Sequence, residues 1–138
     1  IKGMGINGGA IDGSVSFPLV ATKDIADVAT QKLLALDFSG KSVLPILGPK
    51  DYSMAEVTKA LGSAIGKADL NYVTFPFDQA RGGMVQMGMS ESVADAFIGL
   101  SEGINTGVFN YETRTTVSTT PTTIEEFATS LFAPIYNS

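Results

Sequence analysis

The run Phe17-Pro18-Leu19-Val20-Ala21-Thr22-Lys23-Asp24-Ile25-Ala26-Asp27-Val28-Ala29 constrains the fold more than any other stretch of the chain. Phe17 to Ala21 has the length and apolarity of a buried strand. From Thr22 the spacing turns helical, with Ile25, Val28, Ala29, Leu33 and Leu36 on one stripe. Asp24 or Thr22 is placed to cap the new helix, and Asp27 adds negative charge near the positive end of its dipole. Lys32 falls near the centre of the stripe and is expected to snorkel its ammonium outward. A strand that feeds straight into a capped helix is half of a βαβ unit, so the fold class is α/β.

At 138 residues the chain fits one domain with a sizeable core, and no composition shift marks a boundary. Net charge is −5 and the nine basic residues are scattered, which argues against a surface that tracks phosphates and hence against nucleic acid. No apolar run approaches the ~20 residues of a membrane span, and no basic-then-apolar leader is present. Cys, His and Trp are absent. A Ser-His-Asp or Cys-His nucleophile and a Cys/His zinc site are therefore excluded. No spaced acidic cluster offers a carboxylate metal site. Lack of cysteine fits a reducing compartment, and a cytoplasmic location is expected.

The first residues, Ile1-Lys2-Gly3-Met4-Gly5-Ile6-Asn7-Gly8-Gly9, lack an initiator Met and read as the interior of a longer chain. They contain a literal G-x-G-x-x-G at Gly3, Gly5 and Gly8. A dinucleotide fingerprint needs a strand before it and a helix opening at its end. Two residues precede Gly3, and Gly9-Ala10-Ile11-Asp12-Gly13 cannot hold a helix. Asn7-Gly8 and Asp12-Gly13 read instead as turns around a short extended piece, and no cofactor contact is assigned here.

After the first helix, Gly40 is placed near its C-cap, and Ser42 to Leu47 reads as an edge strand because Pro45 deletes a donor. Ser53 and Glu56 form a capping box flanked by the staple pair Tyr52 and Val57. Val57, Ala60, Leu61, Ala64 and Ile65 continue that helix, and Gly66 stops it. Asn71 to Phe75 is a further strand, closed by Pro76. Phe77 to Met89 carries Gly82-Gly83, which weaken a helix, beside Met84, Val85, Met87 and Met89. Ser90 caps a following helix with Val93, Phe97, Leu100 and Ile104 as its apolar face, so the two read as a helical hairpin. Arg114 to Thr123 is a loop. A closing helix follows, with Thr122 and Glu125 as capping box, Ile124, Phe127, Ala128, Leu131 and Phe132 as apolar face, and Pro134 as terminator.

Four of these segments, in this order, resemble the NmrA-like proteins, an atypical branch of the short-chain dehydrogenase/reductase superfamily. Phe17 to Ala26 resembles the family's F-x-x-V-A-T-x-D-I-A element. Gly40-Lys41 followed by Leu47-Gly48-Pro49 resembles its G-K…L-T-G-P, and Ser53 to Val57 its S-x-x-E-[IV] helix start. Thr123-Ile124-Glu125-Glu126-Phe127 resembles its T-[LI]-E-E-F closing helix. The resemblance implies that residues 1–138 are the C-terminal, substrate-side part of a Rossmann-type protein, with three or four short strands and about four helices. The N-terminal Rossmann half would then be its partner. The implied cofactor is NADP or NAD, held mainly by that missing half, and the implied function is reduction of quinone-like or carbonyl compounds. Some members are non-catalytic redox sensors, which is the second reading, and a homodimer is compatible with either. A third, an autonomous binding module, would leave a sheet edge unprotected. The segment alone is expected to be inactive and to lack measurable dinucleotide affinity.

Ligands in open α/β sheets bind beyond the carboxyl ends of strands, which directs attention to the loop from Gly8 to Phe17. Gly9 would allow close backbone approach, while Ile11 and Phe17 would offer apolar surface to a nicotinamide or a flat substrate. The alternative is ordinary turn glycines and core apolars. Met84, Met87 and Met89 with Phe97 would form an adaptable substrate lid, the alternative being the core of the hairpin. Asp78 and Arg81 are spaced as a solvated i, i+3 pair. Tyr52, Tyr72, Tyr111 and Tyr136 are each hydrogen-bond donors, but no Tyr-x-x-x-Lys occurs and no catalytic role is assigned to them.

Overall fold

A computed structural model of the chain describes residues 1–3, 5–109 and 112–138. The elements are β1 (Asn7–Gly9), β2 (Ser16–Pro18), α1 (Thr22–Ala35), β3 (Asp51–Ser53), α2 (Met54–Ala64), β4 (Tyr72–Thr74), α3 (Phe77–Gln86), α4 (Glu91–Asn105), α5 (Ile124–Phe127) and α6 (Ala133–Asn137). The α/β class holds, with the strands in two small sheets. No helix among the described residues is long and apolar enough to cross a membrane.

β1 and β4 run parallel, with Gly8 opposite Val73. Asn7-Gly8 is thus strand rather than turn. A Cβ on Gly8 would come within 2.7 Å of the Val73 carbonyl oxygen and 2.8 Å of the Phe75 ring, so glycine is what lets the strands and that ring close up. β2 and β3 run antiparallel, which corrects the expectation of a parallel βαβ return through α1. This pairing sets two buried aromatics, Phe17 and Tyr52, directly opposite each other. The strand is also shorter than the apolar run. It ends at Pro18, and Gly48 packs so tightly on Leu19 that a Cβ there would lie 1.9 Å from the Leu19 carbonyl oxygen.

Residues 42–47 form no strand. Pro45 interrupts the run and Val43 lies 93% exposed, so neither the ladder nor burial holds it extended. Its end is tied down otherwise. The Leu47 N–H donates to the Ser118 carbonyl at 2.8 Å, and Arg114 Nη1 donates to the carbonyls of Leu47 and Gly48.

α1 departs most from its pattern. Its apolar stripe is largely uncovered, with Leu33 65% and Leu36 75% exposed, while the buried residue is Asp24. Asp24 is not the cap, because the N-cap is Ala21 and makes no side-chain bond. Its carboxylate instead accepts the Thr122 hydroxyl at 2.5 Å and the Thr122 N–H at 3.0 Å, pinning α1 to the loop before α5. Burial raises the Asp24 pKa, but the hydrogen bonds from Thr122, the nearby Thr120 hydroxyl and Lys23 outweigh it and hold the carboxyl below its ordinary value. The helix ends on Leu36 in a left-handed conformation (φ 50°), ahead of Gly40. Lys32 reaches outward as expected and pairs with Asp37 at 3.2 Å.

The core joins α2 to the C-terminal helices. Tyr52, Val57, Leu61 and Ala128 are buried together, with Leu19, Ile124, Phe127 and Phe132 packed around them. The Ser53–Glu56 capping box forms in full: Glu56 N–H donates to Ser53 Oγ at 3.2 Å, and Ser53 N–H to Glu56 Oε2 at 2.9 Å. The second cap lies one residue later than its spacing suggests. Thr123 Oγ1 accepts the Glu126 N–H at 3.1 Å, because Thr122 is engaged by Asp24. Nor does Pro134 end the last helix. A π-helical stretch, Ala128–Phe132, widens the helix just upstream, and it continues to Asn137 despite the missing proline N–H.

Candidate functional site

The two parallel strands end side by side, at Gly9 and Thr74, and the Phe75 N–H donates to the Gly9 carbonyl at 2.8 Å to hold their ends together. Immediately beyond them lies a cleft of about 500 Å³. It is lined by Gly8, Gly9 and Phe75 and by one side of α3, with Gln79, Ala80, Gly83, Met84 and Gln86, and by Met87 just after that helix. That volume is in the range of small-molecule sites, and its position obeys the carboxyl-end rule. Gly83 presents open space to the cleft, since a Cβ there would meet nothing within 4 Å. The carboxamides of Gln79 and Gln86 make no hydrogen bond to any described residue, so their donors and acceptors are free to a ligand.

The loop that closes one side is fastened at several points. Asn105, at the end of α4, accepts the Asp12 N–H at 2.7 Å and donates to the Ala10 carbonyl at 3.0 Å. Thr74 Oγ1 accepts the Gly13 N–H at 3.1 Å. Asp12 accepts both the hydroxyl and the N–H of Ser14, which hold its carboxyl below the usual range. Asn7 Nδ2 donates to the fully buried Thr58 hydroxyl at 2.8 Å and so fixes β1 against α2. A smaller recess of about 380 Å³, which shares Phe75 with the cleft, runs along this loop past Asp12 and Asn105.

α3 is held at its distance by α4. Arg81 Nε donates to Asp95 at 2.6 Å and Arg81 Nη2 to Glu91 at 3.2 Å, so its partners lie across the hairpin and not at Asp78. The Asp95 carboxylate, and then that of Glu91, raise the Arg81 pKa, and Arg81 lowers that of Asp95. Ser90 caps α4 as its sequence suggests, accepting the Val93 N–H at 3.4 Å. The predicted face of α4 is rotated, however. Ala94, Ser101 and Ile104 are buried, while Val93, Phe97 and Leu100 are nearly half exposed.

Of the residues singled out by sequence, the cleft brings together Gly9, Met84 and Met87. Phe17 is buried in the β2–β3 pair, where it supports Tyr52. Phe97 lies 47% exposed on α4, and Ile11, half-buried in the loop, lines neither the cleft nor its side recess. Sequence reasoning missed Phe75, Gln79, Gly83, Gln86 and Asn105. The signal for four of them was present: Phe75 ends a strand, and positions 79, 83 and 86 share one face of a helix.

Among the tyrosines, the Tyr52 hydroxyl accepts the Ile124 N–H at 3.3 Å and Tyr136 lies under Lys2 and Lys67, both structural uses. Tyr72 sits beneath Gly9, its hydroxyl 3.0 Å from where a Cβ would be, and burial together with the Asp12 charge raises its pKa. Tyr111 lies outside the described residues. A second apolar groove, of about 410 Å³, borders the start of α1 between Leu19, Val20, Tyr52, Ile124, Phe127 and Leu131. The strands beside it are antiparallel and share no carboxyl end.

Over 85 residues, 62% of its length, the chain is 40% identical to an NAD(P)H azoreductase of Xenophilus azovorans. The match covers 28% of that protein, so the chain spans less than a third of the curated relative. No family model matches the chain, and no solved structure matches it.

Proposed function

We propose that this chain is the substrate-side portion of an NAD(P)H-dependent oxidoreductase of the NmrA-like type, acting on quinone-like or carbonyl compounds. The observation that carries the reading is the cleft at the shared carboxyl ends of β1 and β4, walled by thioethers and an aromatic ring that suit a flat acceptor. The similarity to an NAD(P)H azoreductase supports the redox chemistry.

The nucleotide's phosphates do not fit the glycines of this chain. Gly8 is a strand residue whose Cα is covered by Val73 and Phe75, and the chain beyond it turns instead of opening a helix. On this reading NADP or NAD is held mainly by a Rossmann half contributed by further polypeptide, and would supply the hydride when bound. Surface area supports such a partner. The chain exposes 8895 Å², whereas a compact monomer of 14.4 kDa exposes roughly 6,800 Å². The excess, about 2,000 Å², matches one side of a large permanent interface. The uncovered stripe of α1 (Leu33 and Leu36, with Ile25 at its start) is the face we assign to it.

A second reading, the non-catalytic redox sensor, draws on the cleft having no titratable side chain among the described residues that line it. Steady-state NADPH oxidation by the complete polypeptide separates the two. Turnover with a naphthoquinone is the expected result. NADPH binding without turnover over quinones, azo compounds and aldehydes would establish the sensor.

A further inference from the structure

We infer that the α3 cleft selects uncharged, flat aromatic molecules of two or three rings over their anionic counterparts, oriented by Gln79 and Gln86. The inference rests on the reading of this cleft as the substrate site and specifies what that site accepts. Gln79 and Gln86 stand seven residues apart on one face of α3, which separates them by about 10 Å along the axis, the length of a two- or three-ring molecule. Gly83 lies between them with no side chain and open space above it, so the wall is flat where a ring would lie. Met84, the exposed Met87 and Phe75 line the same cleft and give it polarizable surface. The two carboxamides, unpaired within the described residues, can donate to an acceptor oxygen or nitrogen at either end of the ligand.

Charge is what the cleft lacks. Among the described residues, no Lys or Arg lines it. Residues 77–105 hold one arginine against four carboxylates, and Arg81 is already engaged by Asp95 and Glu91. The last turn of α3, which borders the cleft at Gln86, has no basic residue. A sulfonate or carboxylate entering here would lose water and gain no cation.

The test uses the protein labelled with 13C at its methionine methyls, resonances being assigned with Met84→Leu and Met87→Leu. It is titrated at neutral pH with p-aminoazobenzene, which is uncharged, and separately with its sulfonated counterpart. The neutral compound should shift the Met84 and Met87 methyls, and the sulfonate should bind at least about tenfold more weakly. Gln86→Arg should reverse that preference, and replacing both glutamines with methionine should weaken the neutral compound about tenfold. Equal or tighter binding of the sulfonate through the same methyls would overturn the charge selection and leave the cleft as the substrate site. If neither compound moves those methyls while the protein still consumes NADPH with an azo acceptor, the substrate lies elsewhere and both readings fall.

Discussion

Asp24→Asn is the sharpest test of how this chain is held together. Asp24 is 2% exposed, and its carboxylate accepts the Thr122 hydroxyl and N–H. Hydrogen bonds to a charged group contribute about 1.5–3 kcal/mol each and neutral ones about 0.5–1.5, so removing the charge costs about 1 kcal/mol per bond. The asparagine can keep both contacts, its Oδ1 accepting the Thr122 N–H and its NH₂ donating to the rotated Thr122 hydroxyl. The expected loss is therefore about 2 kcal/mol. With a urea slope of about 1.5 kcal/mol/M, typical of a chain this size, the midpoint should fall by about 1.3 M. The pH dependence has a definite sign. Because the folded-state pKa lies below the unfolded one, the carboxylate contributes fully above the unfolded value of about 3.9, and its contribution is lost as pH falls through the folded value. Urea titrations of both proteins from pH 7 downward should show the gap at its widest at neutrality and closing in acid. A gap under about 0.5 kcal/mol at pH 7, or one that widens toward acid, would refute the assignment of Asp24 as a latch on Thr122.

Two glycines of the cleft should respond in opposite directions. Gly8→Ala drives a methyl into the Val73 carbonyl and the Phe75 ring and should destabilise by about 1–3 kcal/mol in thermal melts. Gly83→Ala meets open space within a helix and should be neutral or stabilise by up to about 1 kcal/mol. For the hairpin, Arg81→Leu should speed amide exchange along α3 and α4 at low salt, and high salt should shrink the difference because these ion pairs are exposed. In the unaltered protein the Asp95 half of that clamp should persist above the ordinary aspartate pKa and release as pH falls through its lowered one, read by the same exchange measurement.

Local chemistry was legible where one or two turns of chain contain all the partners. The Ser53–Glu56 box, the staple of Tyr52 and Val57, the Ser90 cap and the stop at Gly66 needed nothing beyond their neighbours, and all form as spelled. The methionines at 84 and 87 could be placed in a candidate site because thioethers repack around varied ligands, although Gln79, Gly83 and Gln86 were hidden by the glycine pair that made the helix look weak.

By itself, then, the sequence determined the α/β alternation, the main helix starts and the exclusion from these 138 residues of a Ser-His-Asp or Cys-His nucleophile and a Cys/His zinc site, since these follow from periodicity, caps and residue types. Tertiary structure alone decided which competing partner each polar group took. Asp24 was equally able to cap α1 or to bind elsewhere, and it went to Thr122, 98 residues away, which moved the next cap to Thr123. The direction of β3 and the exposure of the α1 stripe were likewise settled by packing. A repeat along a helix says that a face is apolar, and only the arrangement in space says what, if anything, covers it.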